Sequence, residues 1–137
     1  MSDIERNKAL ARREQEAFWA GGHAAIADEL FAPRVTEGDG RVVSPADLTA
    51  QMQMQHVAVP DVQIRVLDQI GEGDLVVSRL EITGTHLGEW QGIPPTGKRF
   101  TVSGLVMRHI TGGKIVERWD NLDWLGVYQQ LGLIPAG

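Results

Sequence analysis

Two carboxylates, Asp120 and Asp123, stand in the stretch ERWDNLDWLG between Trp119 and Trp124, where a strand-like alternation gives way to a helix-like pattern. A carboxylate beside indole rings in a partly apolar recess loses hydration and becomes able to move a proton near neutrality. Strand parity separates the two acids. Ile115, Glu117, Trp119 and Asn121 share one face and run on to Asp123, whereas Val116, Arg118, Asp120 and Leu122 share the other. Arg118 and Asp120 read as a solvated face, and Trp119 and Asn121 as the wall of a pocket, so Asp123 is the expected general base. Asp123 also stands immediately before the last helix, where an Asp side chain accepts a backbone N–H and favours the helix dipole. Base and helix cap both remain open.

His109 is the histidine that a sheet brings nearest to Asp123, where a neutral imidazole orients an acid or donates to an oxyanion. Gly112-Gly113 reads as a two-residue hairpin turn, which pairs Thr111 with Lys114, sets His109 opposite Val116 and aligns Arg108 with Trp119. A bulge is needed to bring His109 onto the face of Trp119. His86 precedes a Gly/Pro-rich loop and, with Trp90 inside that loop, lines a cavity mouth in this reading. Met52, Met54 and His56 in QMQMQH fill a core. The four histidines show no helical i, i+4 pair and no neighbouring carboxylate triad, and there are no cysteines, so neither a metal nor a cofactor is expected. Nucleophile-elbow, phosphate-loop and dinucleotide motifs are missing as well.

The elements that must position these residues follow from period and punctuation. Ser2 and Glu5 start a helix expected over about residues 3 to 20, before Gly21-Gly22. A short helix is expected over 23 to 31, and Ser44-Pro45 opens a third that ends before Pro60. After Pro60 the period falls to two, giving strands from Val62, over 75 to 86, over 100 to 110 and over 114 to 122, with a loop at 87 to 98. Residues 124 to 131 form a last short helix. The expectation is a single α+β domain over 1–137, with a curved antiparallel sheet packed on three helices and a pocket between the layers.

Composition narrows the partners. The chain is 42% hydrophobic and 23% charged, with a net charge of -5 and no basic stripe, so nucleic acid is not an expected partner. No apolar run is long enough for a membrane span and the N-terminus lacks a signal-peptide pattern, so a cytoplasmic protein is expected.

The stretches GTHLGEWQGIPPTGKRF (84–100) and GGKIVERWDNLDWLGVYQQLG (112–132) resemble the SnoaL-like polyketide cyclase, or ester cyclase, family. The likeness extends more weakly to the N-terminal helices and ELFAP (29–33). The resemblance implies the cone-shaped fold shared with nuclear transport factor, ketosteroid isomerase and scytalone dehydratase, often as a homodimer or higher homo-oligomer. It implies ring closure of a polyketide by an intramolecular aldol reaction, with Asp123 matching the family's Asp and His109 its His, and with neither metal nor cofactor. Trp119, Met107, His86, Asn121 and Trp90 would then touch a small hydrophobic or aromatic ligand, Met107 standing where a polar residue is expected. The alternatives are a non-catalytic module for a small apolar ligand, or another cofactor-free hydroxylase, isomerase or dehydratase.

Overall fold

The computed structural model describes residues 2–135. Helix α1 (Asp3–Arg13) begins where Ser2 Oγ accepts the Glu5 amide at 3.1 Å, and it continues without a break into a π-helical stretch, Glu14–Ala20. An i→i+5 ladder puts residue i+5 nearly above residue i, which sets Glu14 and Trp19 on one face, and Trp19 Nε1 donates to Glu14 Oε2 at 2.9 Å. The second helix is shorter than expected. A 3₁₀ turn (Ala24–Ile26) leads into α2 (Ala27–Leu30), and Phe31 already starts a strand.

Strands β1 (Phe31–Glu37) and β2 (Val42–Val43) were not legible from alternation. Pro33, Arg34 and a turn at 38–41 interrupt the pattern, and β1 is specified by its parallel pairing with a strand 81 to 84 residues later rather than by its own period. Helix α3 (Pro45–Ala58) carries a full capping box: Ser44 Oγ accepts the Asp47 amide at 3.1 Å, and Asp47 accepts the Ser44 amide at 2.9 Å. His56 Nε2 lies 2.7 Å from the Trp19 carbonyl and ties α3 to the π-helical stretch.

Four long strands complete the sheet: β3 (Gln63–Glu72), β4 (Leu75–Thr85), β5 (Arg99–Thr111) and β6 (Lys114–Leu122), followed by α4 (Trp124–Gln130). The order is β2-β1-β6-β5-β4-β3, and the pairing is antiparallel except between β1 and β6. The sheet is curved and unclosed, in an α+β architecture. Gly112 and Gly113 adopt φ of 60° and 77°, which glycine reaches without strain, and they close the β5–β6 turn.

A bulge follows that turn. Ile110 pairs with Ile115 but His109 pairs with Glu117, so Val116 has no partner, and Met107 then lies opposite Trp119 and Arg108 opposite Arg118. Even-numbered β5 residues from Phe100 to Ile110 are all buried under the helices, and the odd ones face outward. The core divides accordingly. Phe18, Leu30, Phe31, Leu48, Met52 and Ile110 cluster at one end of the sheet, and Val59, Phe100, Val102, Val127 and Leu131 at the other.

Candidate active site

Between the two clusters lies a cavity of about 90 Å³. Val59, Leu80, Trp90, Phe100, Val106 and Trp124 make its apolar side. Its polar side comes from three elements: Gln15 on the π-helical stretch, Gln51 and Gln55 one turn apart on α3, and Arg118 and Asp120 two apart on β6. Ligand pockets commonly span roughly 300–1,000 Å³.

The polar side rests on a buried ion cluster. Glu14 and Arg108 are fully inaccessible and Arg118 nearly so. Glu14 Oε2 accepts from Arg118 Nε at 2.6 Å and from Trp19 Nε1 at 2.9 Å, while Oε1 accepts from Arg108 Nε and from Gln15 Nε2, the latter at 3.3 Å. Four donors on one carboxylate supply what burial removes. Burial opposes the charge of Glu14, but the Arg118 and Arg108 guanidiniums, with the bonds from Arg108 and Trp19, outweigh it and hold the carboxyl down at about 2. Arg108 Nη1 donates to Ser78 Oγ at 2.8 Å, and Ser78 in turn donates to Gln69 at 2.7 Å, linking the cluster to β3 and β4.

Arg118 is clamped firmly on one side and more loosely partnered on the other. Its Nε is held by Glu14, and its guanidinium carbon lies 5.2 Å from the centre of the Trp19 ring. Its Nη1 faces two carboxylates, Glu37 Oε2 at 3.5 Å and Asp120 Oδ2 at 3.7 Å. Burial disfavours the charge on Arg118, yet Glu14, Glu37 and Asp120 together raise its proton affinity, so it stays a cation at the cavity wall. Asp120 has a side chain 45% exposed and sits where the apolar cavity meets a polar groove bordered by Glu37, Asp39, Arg41 and Asn121.

The residues expected at the site are distributed differently. The bulge does align His109 with Trp119, but that shared face is the outer one, not the cavity face. His109 Nδ1 lies 3.0 Å from Glu117 there. Met107, Trp119 and Asn121 share this outer parity, and Trp119 and Asn121 border the polar groove instead of the cavity. Asp123 is the N-cap of α4: its Oδ1 accepts the Gly126 amide at 2.9 Å. A Cβ on Gly126 would come within 2.3 Å of the Asp123 carboxylate, so the cap is seated against that glycine. His86 is buried behind Trp90, ring centres 5.8 Å apart, with Nδ1 accepting from the Thr96 amide at 3.2 Å. Trp90 alone of the expected set lines the cavity, packed edge-on to Trp124 at 5.4 Å. Asp120, expected on a solvated face with Arg118, lies at the cavity wall.

The profile of the family described as SnoaL-like polyketide cyclase matches residues 9–131. The chain belongs to that family. Among curated relatives it is similar to the aklanonic acid methyl ester cyclase DnrD of Streptomyces peucetius, 28% identical over 128 residues that span 90% of this chain and 88% of that one. It is also similar to the aklanonic acid methyl ester cyclase AcmA of Streptomyces galilaeus, 38% identical over 69 residues, 48% of each chain. Among solved structures, TsrD from Streptomyces laurentii superposes with a TM-score of 0.88 at 26% identity, covering 98% of this chain and 100% of that one.

Within this cyclase-family fold, the residues that the local pattern hid are the charged ones on buried stripes. Glu14 stands four positions from both Leu10 and Phe18 on the apolar face of the first helix, and Arg108 stands between Val106 and Ile110 on the buried parity of β5. An acid and a base embedded in two apolar stripes signal a buried ion pair, because such charges are almost never buried unpaired. Among the described residues no helix is long and apolar enough to cross a membrane, and no group of three metal-ligating side chains is assembled.

Proposed function

We propose that the chain closes a ring on a polyketide-type β-keto ester by an intramolecular aldol reaction, with Asp120 as general base and Arg118 as the group that receives the developing negative charge. The observation that carries this reading is that a carboxylate and a buried guanidinium line one apolar cavity, 3.7 Å apart. The membership in a polyketide cyclase family, and the ester cyclases among its relatives, support the substrate class.

In this mechanism the Asp120 carboxylate removes a proton from the carbon between two carbonyls. The C–H electron pair passes to a carbonyl oxygen as an enolate beside the Arg118 Nη groups, where a cation in a water-poor site stabilises it most. The enolate carbon then forms a C–C bond to a second carbonyl of the same molecule, and the new alkoxide takes the proton back from Asp120. Product and substrate have the same mass. Trp90, Phe100 and Trp124 hold a flat apolar body, while Gln15, Gln51 and Gln55 meet its oxygenated edge.

The test is conversion of aklanonic acid methyl ester, or another methyl-esterified β-keto polyketide, to a ring-closed isomer followed by chromatography and mass. Asp120→Asn should lower kcat by roughly 10²–10⁴-fold with unchanged melting temperature. Full turnover by that variant would refute the assignment.

A further inference from the structure

The charges around Arg118 do not balance pairwise. Arg108 and Arg118 face Glu14, which neutralises one of them and leaves a single positive charge. Two carboxylates, Glu37 from β1 and Asp120 from β6, both lie against the same nitrogen, Arg118 Nη1, at 3.5 and 3.7 Å. Glu37 does not line the cavity. It borders the polar groove on the far side of Asp120, so any effect on the reaction passes through Asp120.

We propose that Glu37 is a positioning residue for the acid–base step: by competing with Asp120 for Arg118 Nη1, it prevents the guanidinium from locking Asp120 into a tight ion pair and leaves that carboxylate free to take a proton. This rests on the reading of Asp120 as the base. The parallel β1–β6 pairing supplies the geometry, since Glu37 is in register with Arg118 and its side chain is held at the end of β1, 13% exposed. The charged groups facing Glu37 are Arg118 and Asp120 on β6, Arg41 and Asp39 in the turn after β1, and Glu14 on the π-helical stretch. Burial pushes the Glu37 carboxyl up, with Asp120 and Glu14 adding to the effect, and the pull of Arg118 and Arg41 does not cancel it.

The coupling is reciprocal, which allows a test without substrate. In the full chain labelled with ¹³C at carboxyl carbons, the Glu37 titration midpoint should fall in Asp120→Asn relative to wild type, and an unmoved midpoint would overturn the proposal. In the turnover assay, Glu37→Gln should lower kcat several-fold and move the acid limb of the kcat/KM profile down by about half a pH unit or more. Glu37→Asp should restore the wild-type limb. An acid limb that stays in place in Glu37→Gln, while Asp120→Asn is inactive, defeats the role of Glu37 and spares the base. Turnover retained by Asp120→Asn defeats the reading of the base, and the carboxyl titration still reports whether Glu37 and Asp120 are coupled. Should Glu37→Gln fail to fold, the titration of wild type against Asp120→Asn decides alone.

Discussion

Glu14 and Arg118, 104 positions apart in the chain, meet inside the domain with Nε donating to Oε2 across 2.6 Å. The pair is half of a cluster in which Arg108 shares the same carboxylate. Removing one member of a buried ion pair costs far more than replacing the whole, because the remaining charges lose their compensation. Glu14→Gln leaves two buried guanidiniums without their acid and should destabilise the fold by about 3–5 kcal/mol in urea unfolding. Combining it with Arg108→Met should recover a large part of that loss, and a double variant as unstable as the sum of the singles would show that the two residues do not share one electrostatic unit.

Acid should weaken the fold through the same carboxylate. Glu14 is held at about 2 in the folded chain against an ordinary 4.5, so the unfolded chain binds its proton first. Its contribution is complete above about pH 4.5 and is lost as the pH falls towards 2, a change on the order of 3 kcal/mol. Glu37, pushed up instead of down, acts with the opposite sign just above that window. Unfolding free energies measured from pH 5 to 2 should fall steeply in the wild type and much less in Glu14→Gln.

Asp123 should matter to stability and not to turnover. Its carboxylate caps α4 through the Gly126 amide, so Asp123→Ala should cost about 1 kcal/mol and Asp123→Asn only a fraction of that. Thermal melting reads the cost, and kcat for both variants should stay within about twofold of wild type. A hundredfold loss of turnover in a folded Asp123→Asn would return the base to the helix boundary.

The loop that carries Trp90 is seated by a glycine with no room for a side chain. A Cβ on Gly88 would lie 2.0 Å from the Val57 carbonyl oxygen, a backbone atom that cannot rotate away. Gly88→Ala should therefore destabilise the fold by roughly 1–3 kcal/mol and shift the tryptophan emission as Trp90 leaves its packing against Trp124. An alanine variant with wild-type melting and emission would mean that the loop relaxes at no cost.

Local pattern made most of the elements legible: the capped α3, the glycine turn after β5 and the final helix all follow from short-range rules. The face of β6 was not. Trp119 looks like a pocket wall and Arg118 like a solvated residue until Glu14, far away on the first helix, neutralises the arginine and allows it inside. A partner 104 residues distant leaves no trace in the period of its own strand. Strand β1 escaped for a related reason, since its register is set by β6 and not by alternation. The plain glycine hairpin sets His109 opposite Val116, whereas the strand bulges at Val116, pairs His109 with Glu117 and aligns it with Trp119 on the outer face, not in the pocket.

The parallel union of β1 with β6 also sets an order of assembly. Synthesis runs from the N-terminus, and contacts of large sequence separation must wait for both partners. Glu14 therefore emerges 94 residues ahead of Arg108 and 104 ahead of Arg118, so both guanidiniums follow it late in synthesis. A chain halted before β6 holds the aromatic wall of Trp90 and Phe100 but neither Arg118 nor Asp120. The apolar wall is therefore made before the two charged residues that complete the cavity's polar side.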